Sequence, residues 1–348
     1  MTSTASGWVR GFAMLMGVAW ALVAVGCDKA EDKSAGGSAQ SSGNAGGAGG
    51  AKRTVRIGFV GKSDANMVFQ VARNGANAAQ RELGSKYGVT LEVIHRTPNQ
   101  EDAAKQVEAI DALVRDRVDG IAVSCSQAAT LKPAIDRAVD AGIPVITFDS
   151  DSPDSKRFAY YGTDDEPAAH KLIDLLARSM GEKGTIAILA GNEAAPNLQA
   201  RVRGAKAQLA KYPNMKLLEN GVFYHEETPE KAAERVATAT AANPSIQGWA
   251  FVGGWPLFTN NALKWPAGQI KVASWDAMPA QLGYLRSGHV DVLLAQDCFG
   301  WGYKSVEILL DKIVNKKDPP SPRVIDPLTE VTRDNVDAFA KKWEEWLK

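Results

Sequence analysis

Polar and aromatic residues gather in this chain immediately behind short apolar, β-rich runs. The run at 55–60 is followed by Gly61-Lys62-Ser63-Asp64-Ala65-Asn66-Met67-Val68-Phe69, and the run at 144–148 by Asp149-Ser150-Asp151-Ser152-Pro153. Later runs lead to Asn197 and Arg201 within NLQARVRG, to Gly253-Gly254-Trp255-Pro256, to Asp276-Ala277-Met278-Pro279 and to Gln296-Asp297. These types suit a polyhydroxy guest. Carboxylates accept from two hydroxyls, a guanidinium donates as a fork, amides do both, and aromatic faces cover the C–H surface of a ring. Asp149 carries the most weight, because an Asp that ends an apolar strand is neither a core nor a helix-surface position. The others have bland readings beside the functional one. Asn197 next to Pro196 could be a helix N-cap, Phe69 a core residue, and Lys62 a solvated loop lysine. Trp249, Trp265, Trp301, Trp343 and Trp346 read as packing aromatics, and Trp275 as either.

Other chemistries find no foothold. The chain has no GxSxG elbow, P-loop or GxGxxG, and Gly253-Gly254 lacks a third glycine and leads into Trp-Pro. No enzyme activity and no cofactor are expected. His95, His170, His225 and His289 stand singly, without metal-ligand spacing. Beyond Cys27 only Cys125 and Cys298 occur, which is no disulfide framework, and both read as free thiols. Lys+Arg and Asp+Glu both number 40, so no field of one sign steers the protein to nucleic acid.

The elements that must position the strand-end residues alternate. Strand candidates lie at 55–60, 90–94, 120–124, 144–148, 185–189, 216–222, 248–252, 270–275 and 290–295, with amphipathic segments between them, as in βαβ units around parallel sheets. In 101–115, Ala103, Val107, Ile110 and Val114 form a stripe opposite Glu101, Lys105, Glu108, Asp111 and Arg115. So many strands exceed what one sheet commonly carries, and a seam at 158–165 (FAYYGTDD) splits them into two lobes. The expected architecture is α/β, two doubly wound parallel-sheet lobes with the ligand crevice outside the carboxyl ends of the strands.

The first 27 residues have the layout of an export signal: Arg10, an uncharged stretch at 11–26 and small residues before Cys27. The run Ala24-Val25-Gly26-Cys27 resembles a bacterial lipobox, which implies acylation of Cys27 and a membrane anchor. Asp28 after it resembles an inner-membrane retention signal. Residues 28–52, rich in Gly, Ala and Ser, read as a flexible tether with a root-mean-square span of roughly 25–30 Å.

From about 54 to 335 the chain resembles the periplasmic ribose-type sugar-binding proteins of ABC importers. IPVITFDSDSP, YYGTDD, NLQARVRG, VASWDAMP and LLAQD follow in that family's order. The resemblance implies a type I periplasmic binding protein fold whose lobes are joined by three crossovers and close on one sugar or polyol. It implies an N-terminal lobe of 53–160 plus 297–322 and a C-terminal lobe of 161–296 plus 323–348. The protein would be a lipid-anchored, extracytoplasmic monomer that delivers its ligand to an ABC transporter permease. Carried over by position, Asn66 and Asp149 would bind hydroxyls with Phe69 stacked on the ring, and Arg201, Asp276 and Gln296 would act from the other side. Asn197 and Trp255 join this set. The family's Arg after the strand-end Asp is replaced by Ser150 and then Asp151, a lost guanidinium that Lys62 could make good. Trp255 after Gly254 stands where an Asn-Asp pair is usual, which admits a pyranose or cyclitol as well as a furanose. An amine stays open on Asp149, Asp151 and Asp276. The same core serves sensory receptors and lac repressor-type regulators, but the latter carry a helix-turn-helix domain where this chain has its apolar signal and tether.

Overall fold

The computed structural model describes residues 52–347; the signal segment, Cys27 and nearly all of the tether lie outside the described residues. The first lobe begins β1 (Thr54–Val60), α1 (Met67–Lys86), β2 (Thr90–His95), α2 (Ala103–Arg115), β3 (Gly120–Val123), α3 (Ala128–Asp140), β4 (Val145–Phe148) and β5 (Ala159–Gly162). The second contains α4 (Asp165–Met180), β6 (Gly184–Ala190), α5 (Pro196–Leu209), β7 (Met215–Tyr224), α6 (Pro229–Ala242), β8 (Ile246–Phe251), β9 (Lys271–Trp275), α7 (Pro279–Ser287) and β10 (Val292–Ala295). The chain then returns through α8 (Cys298–Val314) and β11 (Arg323–Ile325) to the first lobe, and ends with β12 (Thr329–Val331) and α9 (Val336–Trp346) on the second.

Each lobe is built on a six-stranded sheet, and the two repeat one order: β2-β1-β3-β4-β5-β11 and β7-β6-β8-β9-β10-β12. Every pairing is parallel except β10 with β12. The inner strands β3, β4 and β10 are buried on both faces and accordingly read as unbroken apolar runs. The edge strands β2 and β7 are only partly buried and carry the exposed Glu92, Glu219 and Asn220. Three crossings join the lobes, at 163–164, 296–297 and 326–328. Two fall later than the sequence suggests. The β5 strand, hidden in the seam, lies whole in the first sheet, and β11, expected in the C-terminal lobe, pairs with β5. A three-residue strand behind a Pro-rich segment is too short to show a pattern.

Glycine fixes how each lobe's helices pack. Gly75 of α1 faces the backbone oxygen of Phe299 in α8, and Gly204 of α5 faces that of Glu166 in α4, so close that a Cβ at either place would collide with backbone. The two glycines hold the same place in their helices. On α2 the buried face runs through Gln106, Ile110 and Leu113, one position away from the expected Val107 and Val114 stripe. Gln106 is fully buried because its amide closes the first lobe's strand ends, donating to Gly61 O and Ser124 O and accepting from Ser126 N. Cys125 and Cys298 are buried and unpaired.

Candidate functional site

The carboxyl ends of the two sheets face one another, and the side chains behind the strands fill the space between. Two of them, Asp149 after β4 and Asp276 after β9, have φ of 56° and 62°. The left-handed conformation costs a non-glycine residue roughly 1–2 kcal/mol, and Asp is among the few types that adopt it routinely. It breaks the strand and turns each carboxylate into the crevice. Tyr160 supports the first turn by donating its hydroxyl to Asp149 O at 3.0 Å, and Gln281 supports the second by donating to Trp275 O at 2.9 Å.

In the first lobe, Asp149 accepts from Ser124 Oγ at 2.7 Å and from Asn197 Nδ2, of the other lobe, at 3.2 Å. Lys62 Nζ lies 3.8 Å from the same carboxylate and 3.4 Å from Asn197 Oδ1. With 2% exposure, Lys62 is a wall of the site and no solvated loop lysine. Burial opposes its charge, but Asp149, Glu227 and Glu101 outweigh burial and raise its pKa. Asn66 caps α1 by accepting from Val68 N at 3.2 Å and lines the cavity. Phe69, in the first turn of α1, lies 6.1 Å from the Trp301 ring.

In the second lobe, Arg201 projects from α5 and sits over the Trp275 ring, its Cζ 4.3 Å from the ring centre. It donates to Asp165 at 2.7 Å, to Val252 O at 3.0 Å and to Gln296 Oε1 at 3.0 Å. Gln296, at the second crossing, also accepts from Thr163 Oγ1 of the first crossing at 3.0 Å and donates to Asp276 at 2.8 Å. Asp276 takes one more bond, from Gly254 N at 3.1 Å. Burial raises the pKa of Asp276, and that of Asp165 to about 6 against the pull of Arg201. Trp255 lies over Gly191 and Gly253, with His225 edge-on at 4.9 Å.

Of the residues singled out in the sequence, Lys62, Asn66, Phe69, Asp149, Asn197, Arg201, Trp255, Asp276 and Gln296 line one cavity between the lobes. Asn197 is the second residue of α5; Ala195 is the N-cap. Ser150 and Asp151 are not on the cavity wall. Ser150 is fully buried behind Asp149, and Asp151 is turned away to pair with Arg157, 2.6 Å to Nη2, and to accept from Ser152 N at 2.7 Å. The carboxylate that seemed added to the site is thus neutralised behind it. Sequence reasoning missed Glu227 and Phe258 and assigned Trp301 to packing, yet all three line the cavity. The signal for Trp301 was its place in the first turn after a strand, the place Phe69 holds. Glu227 was missed because β7 runs to Tyr224, past its expected end, and carries the strand end with it.

The enclosed free volume is only about 30 Å³, because these side chains meet one another across the cleft. A sugar-sized guest enters only when the lobes part. A roomier hollow of about 800 Å³, lined by Arg117, Lys156, Phe158 and Ile313, sits at the amino ends of the first lobe's strands, the wrong end of a parallel sheet for a ligand crevice.

Two parallel-sheet lobes, a three-stranded hinge and a shared polar crevice define a class of two-lobed ligand-binding proteins. The model of the periplasmic binding protein domain matches residues 57–317, and the chain belongs to that family, with its type I fold. A D-ribose/D-allose-binding protein of Pseudomonas aeruginosa is 25% identical over 248 residues, 68% of this chain and 75% of its own length. Among solved structures, an ABC transporter solute-binding protein of Burkholderia graminis in complex with D-arabinose is 27% identical, with a TM-score of 0.74 over 82% of this chain and 97% of its own. A glucose-galactose-binding protein of Geobacillus stearothermophilus is 25% identical, with a TM-score of 0.70 over 82% and 99%.

Proposed function

We propose that this protein is an extracytoplasmic solute-binding protein that captures a sugar or polyol between its lobes and delivers it to an ABC transporter, held at the membrane by acylated Cys27. The observation that carries the reading is the convergence of Asp149 and Lys62 from one lobe with Asn197, Arg201 and Asp276 from the other, tied through Gln296 at the hinge. Such a set reads hydroxyls, and burial makes each pairing discriminating, since a guest lacking one hydroxyl strands a desolvated group at about 1–3 kcal/mol. The small-molecule names of the relatives support the same class, and a pentose, hexose or acyclic polyol is the guest to try first. Lobe closure is the output that a permease would read.

A thermal-shift screen of the full-length chain over pentoses, hexoses and polyols tests this, because a ligand of the folded state raises Tm by mass action. For any sugar that binds, Asp149→Asn removes charge-assisted bonds while keeping shape, and Kd is expected to rise about 10- to 100-fold. An unchanged Kd would place the site elsewhere. Metabolic labelling with a fatty acid tests the anchor, and label retained in Cys27→Ala would contradict it.

A further inference from the structure

Each lobe carries a glutamate at the equivalent place on the cleft side. Glu101 precedes Asp102, the N-cap of α2, and Glu227 precedes Thr228, the N-cap of α6. Both reach the same residue: Asn192 donates its backbone N–H to Glu227 at 3.1 Å and its side-chain amide to Glu101 at 3.3 Å. Two carboxylates from different lobes thereby converge on one neutral residue, and of the two Glu227 lines the cavity.

The charges around the cavity do not balance. Arg201 is matched by Asp165, and Lys62, 3.8 Å from Asp149, is one cation shared by Asp149, Glu227 and Glu101. Asp276 is held by neutral donors in Gly254 and Gln296, and Glu227 by the Asn192 N–H. His225, beside Trp255, adds no cation, since burial lowers its pKa. Asp151 drops out of the count because Arg157 neutralises it. Negative charge therefore remains at the Glu227 end, where the half-buried glutamate is partly shielded from water and an unmatched charge carries a cost. Burial, then Glu101, push the Glu227 carboxyl up to about 7 against the pull of Lys62. A guest that brings a cation to this end removes that cost, while a neutral sugar leaves it in place.

We propose that the cavity takes a polyhydroxylated amine, an amino sugar or amino polyol, whose ammonium lies against Glu227, with Glu101 adding negative charge from beyond Asn192, while Asp149, Asn197, Asp276 and Gln296 hold its hydroxyls. The inference rests on the sugar-binding reading and narrows it. An ammonium offers three donors and no acceptor, which suits a carboxylate on the cavity wall with a second one near it.

Isothermal titration of the full-length chain at pH 7.5 tests this with pairs that differ only by amine for hydroxyl: D-glucosamine and D-glucose, D-galactosamine and D-galactose, 1-amino-1-deoxyribitol and ribitol. In at least one pair the amine is expected to bind about 10- to 100-fold tighter. That ratio should collapse in Glu227→Gln and shrink in Glu101→Gln. Heats measured in buffers of different ionisation enthalpy should show more protons released on binding the amine to wild type than to Glu227→Gln, the proton uptake of the ligand amine itself being common to both. Neutral members that bind as tightly as their amines would overturn the proposal and leave the sugar reading standing. A preference that survives both glutamate substitutions would overturn the placement of the ammonium. Failure of every amine and every neutral sugar to bind would sink the sugar reading, and the proposal with it.

Discussion

The two lobes repeat one strand order and one device, an aspartate in left-handed conformation behind an aromatic strand end, yet they satisfy that aspartate differently. In the second lobe, Asp276, Gln296, Arg201, Asp165 and Gly254 bond to one another and to Val252 O, with nothing needed from across the cleft except the hinge contact to Thr163. In the first lobe, Asp149 and Lys62 both complete their contacts through Asn197 of the opposite lobe. The second lobe thus holds a preorganised set, and the first lobe's set is finished by closure. Preorganised groups reduce the ordering cost of binding, so the second lobe is the natural first dock for a guest and the first lobe the one that shuts on it.

The largest expected effect is that of Arg201→Ala. It strands the buried Asp165 carboxylate and unties Gln296, and should cost about 3–5 kcal/mol in urea unfolding of the ligand-free protein. The matching change in the first lobe, Lys62→Met, should cost only about 1–2 kcal/mol, because Asp149 keeps its bonds to Ser124 and Asn197 and water reaches it when the lobes part. Equal costs would erase the distinction between a preorganised lobe and one completed by closure. Asp151→Asn tests the boundary of the site: losing the pair with Arg157 should lower stability by about 1–3 kcal/mol and leave the Kd of any bound ligand unchanged. A shifted Kd would return Asp151 to the cavity.

The smallest effect is a pH dependence. The Glu227 carboxyl is held at about 7, against an ordinary value of 4.5. The folded protein therefore binds a proton that the unfolded chain has lost between these values. The stability this proton contributes is whole below the lower value and is lost as pH rises through the upper one. Unfolding midpoints should fall between pH 5 and pH 7.5 in wild type and fall less in Glu227→Gln. Parallel curves would show that the Glu227 carboxyl is not held up by burial and by Glu101 in the closed protein.

The order of βα units was legible in the sequence because burial on both faces forces apolar runs, and strand-end polar residues stand out against them. That sufficed to gather nine residues that line the cavity. It failed where local pattern is silent. The β5 and β11 strands are too short to show a period, and Gln106 looks like a helix-surface residue until the strand ends it closes are brought to it. Asp151 and Glu227 exchange roles for the same reason. Asp151 sits beside Asp149 in sequence, but the left-handed turn at Asp149 sends the two side chains apart, and Arg157 takes the second. Glu227 gains its importance from the cavity it lines and from Glu101, which a different lobe delivers.

The sequence by itself determined which residues stand at the ends of strands, since the alternation of apolar runs and breaks is written locally. The tertiary structure alone decided which of them share a cavity and which charges go unmatched there. Coulomb energy and desolvation depend on distances through space between segments far apart along the chain, and no local pattern records those distances.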